Sequence, residues 1–166
     1  MNNQPITTIN HQDSRQRFIF DDRAVRGLHV RLENVWQHIV GRKHYPVAIR
    51  RALGELLAAG ALLSSNLKID GTLIVQVQGQ GRLKLLVVEA TSNQTCRATA
   101  RWDENAEIGD NETLTDLLGD NGVFVLTLQP QDGEPWQGMV PLEGKSIAEM
   151  LMNYMKRSEQ LDTHIS

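Results

Sequence analysis

The length, composition and charge of the chain limit what it is expected to do. It has 166 residues, which suit one domain, and 40% of them are hydrophobic and 22% charged, as in ordinary globular proteins. A net charge of -3 argues against nucleic-acid binding, because phosphate recognition normally needs a surplus of basic residues. The most apolar stretch, residues 56–63, is far shorter than the roughly 18–20 residues of a membrane span, so no membrane contact is expected.

Cys96 is the single cysteine, and it limits the redox and metal chemistry of the chain. One thiol forms no internal disulfide, and no Cys or His spacing matches that of a zinc site. We therefore expect no metal, no cofactor and no redox-active cysteine in this chain. The polar start has no apolar secretory segment, which agrees with a reducing compartment, and we expect a cytoplasmic protein.

The first part of the chain predicts a tail, a hairpin and a short helix. Residues 1–14 are rich in Asn, Gln, Thr and Asp and are expected to be disordered. Alternating apolar residues in 15–21 and 24–32 indicate two half-buried strands joined by a polar turn. Apolar residues at helical spacing indicate a helix over 33–40, which Gly41 is expected to end.

A long helix is the expected centre of the fold. Pro46 suits the first position of a helix, and the pattern from there to residue 67 becomes apolar nearly all round, as in a helix buried on most sides. Gly54 and Gly60 are expected to let a neighbouring element approach closely. The buried side chains are expected to include Leu53, Leu56, Leu57, Leu63, Val75 and Val77.

The second half of the chain predicts antiparallel strands. Five alternating segments are typical of a meander followed by a hairpin, namely residues 72–78, 83–90, 94–102, 123–128 and 136–140. A short helix over 113–118, stopped by Gly119, separates the meander from the hairpin. The expected fold class is therefore α+β, with mostly antiparallel sheets packed around the long helix.

A capped helix is expected near the end of the chain. Ser146 and Glu149 have the S-x-x-E spacing of a capping box, and apolar residues follow at the spacing of one helix face. After this helix, residues 161–165 alternate like the start of another strand.

Methionine is concentrated on the same helix. Met150, Met152, Tyr154 and Met155 are our candidate contacts for a protein partner, because methionine adapts to varied apolar surfaces. The alternative is that Met150 and Met155 pack under the helix against a sheet, since both lie in its apolar stripe. In that case Met152 is the better surface candidate.

The sequence contains no recognisable catalytic pattern. Gly79-x-Gly81 lacks the third glycine of a dinucleotide fingerprint and precedes a strand, so a hairpin turn is the better interpretation. The five histidines include no metal-binding pair at helical spacing. Cys96 fits a small buried hydrophobic residue better than a nucleophile.

Several segments form an ordered set along the chain, namely RFIF at 17–20, AVRG at 24–27, LGELLAA at 53–59, LKIDG at 67–71, VQVQGQG at 75–81, Gly138, LEG at 142–144 and RSEQL at 157–161. Together they resemble the heat-shock-thirty-three family of redox-regulated holdase chaperones. The similarity covers about residues 15–165. The expected chaperone core domain, 15–166, corresponds to the amino-terminal, client-binding domain of that family.

The resemblance implies an ATP-independent holdase that binds unfolding client proteins under oxidative or heat stress, and that acts as a dimer. In the family, a carboxy-terminal module with C-x-C and C-x-x-C cysteines binds zinc when reduced and unfolds when oxidised. That module and its linker are missing here, so zinc is expected only in a full-length protein, and Cys96 corresponds to none of its ligands. We expect a fragment that forms a homodimer and binds clients without oxidation. The alternative is a small-molecule enzyme with a site between the central helix and the sheet.

Overall fold

The structure is a computed structural model that describes residues 13–22, 24–68, 70–159 and 164–165. Along these residues the elements are β1 (Ser14–Ile19), β2 (Arg26–Arg31), α1 (Glu33–Arg42), α2 (Val47–Ser64), β3 (Gly71–Gln78), β4 (Leu83–Thr91), β5 (Cys96–Trp102), α3 (Leu114–Leu118), β6 (Val123–Pro130), β7 (Trp136–Pro141), α4 (Ile147–Tyr154) and a π-helical turn (Met155–Glu159). The predicted tail, 1–14, lies outside the described residues except for its last two, and Ser14 already belongs to β1. The strand predicted over 161–165 also falls largely outside them.

Two antiparallel sheets contain the strands of the described residues. β1 and β2 form a two-stranded hairpin, and the other five strands pair in the order β5-β4-β3-β6-β7. The meander β3-β4-β5 and the hairpin β6-β7 match the prediction. β3 joins these two units by pairing with β6, with Val75 opposite Leu126. The predicted α+β class with antiparallel sheets is confirmed.

Helix α2 packs on one face of the five-stranded sheet and forms the centre of the core. Five of the six side chains predicted to be buried are fully so, namely Leu53, Leu56, Leu57, Val75 and Val77. The sixth prediction is wrong, because α2 ends at Ser64 rather than at residue 67, and Leu63 in its last turn packs half-buried against the margin of the core. Each fully buried leucine or valine contributes about 1.5–3 kcal/mol of hydrophobic stabilisation.

Three glycines in the helices have different surroundings. A Cβ at Gly60 would lie 2.8 Å from Val88 Cγ1 of β4, so glycine lets α2 lie closely on the sheet. A Cβ at Gly54 would lie 3.2 Å from the Trp36 ring of α1, and close approach is confirmed at both positions. Gly41 was expected to end α1, but the helix continues to Arg42. A glycine weakens a helix without stopping it, so this boundary prediction is wrong.

The hairpin is attached to the rest of the fold by polar contacts. Every residue of β1 is exposed, whereas β2 is half-buried and contacts α2, so the prediction of half-buried strands holds only for β2. Arg15 donates to the Ser65 hydroxyl (2.9 Å), and Arg17 donates to the Ser65 carbonyl. The Asp13 carboxylate accepts from two N–H groups in the first turn of α1 (2.8 and 3.1 Å), and so caps that helix.

Only one of the two hydrogen bonds of the predicted capping box forms at the start of α4. The Ser146 hydroxyl accepts from the N–H of Glu149 at 3.2 Å. The Glu149 carboxylate accepts from the N–H of Lys145 at 2.8 Å, one residue before the position that a capping box requires. The N–H of Ile147 donates to Glu55 of α2 (3.3 Å), which fixes the start of α4 against the central helix.

Candidate functional site

The described part of the chain exposes seven large hydrophobic side chains, namely Phe18, Ile19, Phe20, Val25, Val47, Trp136 and Met139. Single exposed hydrophobic residues are common on proteins, whereas clusters of them mark interaction sites. Val47 stands alone at the start of α2. We call Phe18, Ile19, Phe20 and Val25 the hairpin patch, because all four lie on the β1–β2 hairpin and its turn.

The hairpin patch has an ordered geometry. The Phe18 and Phe20 rings meet edge to face with their centroids 5.7 Å apart. The Phe18 ring lies directly over Gly27 of β2, where a Cβ would come within 2.0 Å of it, so the glycine provides the space for the ring. Ile19 points to the opposite face of the hairpin and is 71% exposed. The two-stranded sheet therefore presents apolar side chains on both of its faces.

Strand β7 carries a second, smaller exposed apolar region. It is an edge strand of the five-stranded sheet. The Trp136 ring folds over Gly138, and Met139, paired with Val125 on the other face, is 60% exposed. Sequence reasoning did not select these two residues, because alternation alone does not show which strand forms an edge.

The four candidate contacts on the terminal helix lie in different environments. Met150 is 5% exposed and belongs to the core, which removes it from the surface and supports the alternative of packing under the helix. Met152, Tyr154 and Met155 are half-buried. The Tyr154 ring packs at 5.9 Å from that of Phe124.

A small pocket brings part of this candidate set together. Met150 and Tyr154 line a pocket of about 110 Å³ between α4 and the end of β7, together with Pro141. Met152 and Met155 do not line it. At its rim Arg157 forms an ion pair of 2.5 Å with Glu143, and this guanidinium lowers the pKa of the Glu143 carboxyl.

A larger groove, of about 780 Å³, lies between α1 and β5. Val35 and Ile39 line its α1 side, and Cys96 and Ala98 line its β5 side. The alternative enzymatic function placed a site between the central helix and the sheet, and that interface is filled by core side chains. The location predicted for the enzymatic site is therefore wrong.

The Cys96 side chain lines this groove. Burial, and to a smaller extent the negative charge of Asp13, raise the pKa of its thiol above the ordinary value of 9.0. A thiol with a raised pKa is a poor nucleophile at neutral pH, because the reactive form is the thiolate. The side chain is half-buried, close to the small buried hydrophobic residue that was predicted.

The described ranges contain neither a cluster of metal ligands nor a membrane-spanning helix. Within them, no three His, Cys, Asp or Glu side chains converge on a point where a metal ion could bind. None of the helices described there has the length and apolar character needed to cross a membrane.

Comparison with known proteins decides the family. The sequence model of one family, described as Hsp33 protein, matches residues 13–166. This chain belongs to the Hsp33 family. The resemblance identified from the sequence segments is thereby confirmed.

Relatives of the Hsp33 family agree in name and in coverage. The chain is 79% identical over 159 residues to a protein of Neisseria meningitidis serogroup A named 33 kDa chaperonin, covering 96% of this chain and 53% of that protein. It is 52% identical to the 33 kDa chaperonin of Chromobacterium violaceum, covering 93% of this chain and 52% of the relative. This chain therefore spans about half the length of the curated relatives it matches.

A solved structure of the Hsp33 family shares the fold. The 33 kDa chaperonin of Thermotoga maritima superimposes with a TM-score of 0.76 at 25% sequence identity, over 88% of this chain and 51% of that one. The relatives are named as chaperonins, which supports the prediction of a binding protein rather than an enzyme.

Proposed function

We propose that this chain is the client-binding domain of an ATP-independent holdase chaperone, which binds unfolding proteins and prevents their aggregation under heat or oxidative stress. The observation that carries the proposal is the hairpin patch, an ordered apolar cluster left exposed on a domain whose core is otherwise well packed. Membership of the Hsp33 family supports it.

Client binding of this kind depends on the burial of apolar surface and involves no chemical reaction. Unfolding proteins expose apolar side chains, and covering such surface yields about 25 cal/mol per Å² of apolar area. Two aromatic rings and two aliphatic side chains, with Ile19 on the opposite face from the rings, expose apolar area that is not specific for one sequence. Binding of this kind needs no nucleotide, since the surface is already exposed in the folded domain.

The proposal also covers how the protein is regulated, whether it forms a dimer and where in the cell it acts. We propose that the full-length protein contains a zinc-binding cysteine module beyond this chain, and that its oxidation exposes client-binding surface. The chain itself then binds clients in either redox state, because the only cysteine is Cys96. We also propose a cytoplasmic homodimer, and client contacts from Met152, Tyr154 and Met155 in addition to the hairpin patch.

The test is light scattering from a heat-unfolded client protein, with the chain added at near-stoichiometric amounts and without nucleotide. Equal suppression of aggregation in reducing agent and in peroxide is expected. Activity that appears only after peroxide would contradict a constitutive binding domain. Dimerisation is tested by the concentration dependence of the mass in light scattering after size-exclusion chromatography.

A matched pair of variants assigns the activity to the hairpin patch. Val25 is 48% exposed within the patch, and Val47 is 52% exposed away from it. Val25→Ser should weaken suppression of aggregation, whereas Val47→Ser should leave it unchanged. Equal effects of the two substitutions would show that the patch has no special role.

A further inference from the structure

Among the described residues, strand β5 has an unpaired edge beside helix α1. It pairs with β4, and no other strand of the described residues pairs with its outer side. The carbonyl of Thr95 and the N–H of Asp103, at the two ends of β5, both bond toward the β4 side (2.9 and 2.8 Å). Because backbone groups of antiparallel strands alternate in direction, Cys96 and Ala98 direct their N–H and C=O groups outward. A β-bulge between Leu83 and Leu85 inserts its extra residue into β4. The alternation along β5 is therefore unchanged.

The free edge opens into the groove between α1 and β5. Cys96 and Ala98, whose backbone groups point outward, both line it, and Val35 and Ile39 face them from α1. Its volume of about 780 Å³ lies within the roughly 300–1,000 Å³ of ligand-binding clefts. An unpaired strand edge beside an apolar helix surface is suited to an added strand, whose main chain bonds to the edge while its side chains contact the helix.

The charges of the groove favour a negatively charged occupant. The Asp13 carboxylate is engaged by the first turn of α1, and the Glu89 carboxylate forms a 2.6 Å ion pair with Arg97. Lys43 pairs with Glu104 at 3.2 Å. Arg42 lines the same groove and has no carboxylate partner among the described residues. A carboxylate on the occupant would supply the missing partner.

We propose that an extended client segment, rich in β-forming apolar residues and carrying a carboxylate, adds to β5 as an antiparallel or parallel strand in this groove. Its main chain bonds to Cys96 and Ala98, its apolar side chains contact Val35 and Ile39, and its carboxylate pairs with Arg42. This inference rests on the proposed holdase function and gives it a second site that recognises backbone and charge rather than apolar area alone.

The experiment uses the full chain and a fluorescein-labelled peptide of alternating valine and threonine with one central glutamate, followed by fluorescence anisotropy. A matched peptide has lysine in place of glutamate. The glutamate peptide should bind more tightly, by roughly twofold to fivefold, as for a partly exposed ion pair. Arg42→Glu should reverse this preference. Arg101→Glu, on β5 but not among the residues that line the groove, is the control and should leave it unchanged.

A second variant tests the strand edge. Ala98→Pro removes an N–H that points away from β4, and proline is tolerated on the free side of an edge strand. It should lower the affinity for the glutamate peptide by roughly tenfold, because one outward hydrogen bond is lost and the ring obstructs the added strand. Thermal unfolding checks that the variant is folded, and Arg42→Glu provides an independent test.

The outcomes separate this inference from the proposed function. Unchanged peptide binding in Ala98→Pro and Arg42→Glu, with aggregation still suppressed, would overturn the groove site and leave the holdase intact. Peptide binding without any suppression of aggregation would support the groove and contradict the holdase. A lysine peptide that binds equally well would overturn the charge assignment. Peptide binding that weakens as the chain dimerises, with Ala98→Pro abolishing the dimer, would assign the edge to a second copy instead.

Discussion

The β1–β2 hairpin and strand β3 have the same kind of alternating sequence, yet their apolar side chains lie in opposite environments. In β3, Val75 and Val77 are completely buried against α2. In the hairpin, Phe18 and Phe20 share one face as they do in any strand, and both remain nearly half exposed. Alternation determines that a strand has an apolar face, whereas the neighbouring elements determine whether that face is covered. Exposed aromatic residues in the hairpin are therefore available for binding.

The hairpin and the five-stranded sheet also differ in the contacts that attach them to α2. The sheet and α2 are held by apolar contacts, and the hairpin is held to the end of α2 by Arg15 and Arg17, which donate to Ser65. Substitutions in the core should therefore lower the free energy of unfolding strongly. Substitutions in the hairpin patch should affect binding with little effect on stability.

The largest effect is expected from Leu57→Ala. Leu57 is 1% exposed in the core, so the substitution removes buried methyl groups and leaves a cavity, at a cost of about 2–5 kcal/mol. Urea denaturation measures the free energy of unfolding. The half-buried Leu63 is the matched control, and Leu63→Ala should cost clearly less. A loss below about 1 kcal/mol for Leu57→Ala would contradict its central position.

Two glycine substitutions should change the stability of the domain in opposite directions. Gly60→Ala places a Cβ against Val88 and should destabilise the domain by about 1–3 kcal/mol, as overpacking does. At Gly41 the new Cβ would meet no atom of another element within 4 Å, and Gly41→Ala should stabilise the domain by about 0.4–1 kcal/mol because alanine favours a helix. Thermal unfolding of both variants is the measurement. Stabilisation by both would mean that α2 does not lie closely on the sheet.

The hairpin patch should tolerate substitution. Ile19→Ser changes a side chain that is 71% exposed, so the free energy of unfolding should move by no more than about 0.5 kcal/mol. The same variant should suppress client aggregation less well than the unmodified chain. Strong destabilisation would show that Ile19 is covered, and the contrast between hairpin and core would then fail.

The smallest effect on stability is expected from an ion pair between Arg82 and Glu112, a residue in the loop before α3. Arg82 donates to both carboxylate oxygens of Glu112, one of them at 2.9 Å, and this hydrogen bonding is the main cause of the lowered pKa of Glu112. Because the folded pKa lies below the unfolded one, the stability gained is fully present above about pH 4.5 and is lost as the pH falls through the folded pKa. Glu112→Gln should remove this acid dependence.

A double-mutant cycle over the pH range checks the assignment to that pair. Arg82→Gln should reduce the acid dependence of urea denaturation as Glu112→Gln does, and the double variant should add nothing further. Independent effects of the two substitutions would refute the coupling.

Much of the fold follows from residue patterns, because local periodicity fixes helices and strands. The buried leucines of α2 and the strands β3 to β7 were predictable on that basis. The pairing of β3 with β6 was not, since it joins segments far apart in the chain and no local pattern records it. Gly41 was misinterpreted because a glycine weakens a helix by only about 1 kcal/mol and so does not by itself end it.

The site was less predictable than the fold for the same reason. The apolar stripe of α4 includes Met150, and the stripe itself faces the core, so periodicity argued for burial as much as for binding. Met139 and Trp136 become exposed only because β7 is the last strand of the sheet. Exposure of an apolar side chain depends on which elements are missing around it, and that information lies in the tertiary arrangement.

The contact of Asp13 with α1 has a consequence for local dynamics. Its carboxylate protects the amide hydrogens of Asn34 and Val35, which have no acceptor within their own helix. Deuterium exchange at these two amides therefore reports whether Asp13 is in contact with α1, even while the rest of α1 stays protected. One helical peptide, followed by mass spectrometry, would thus record each opening of the first strand and the time that it takes to close.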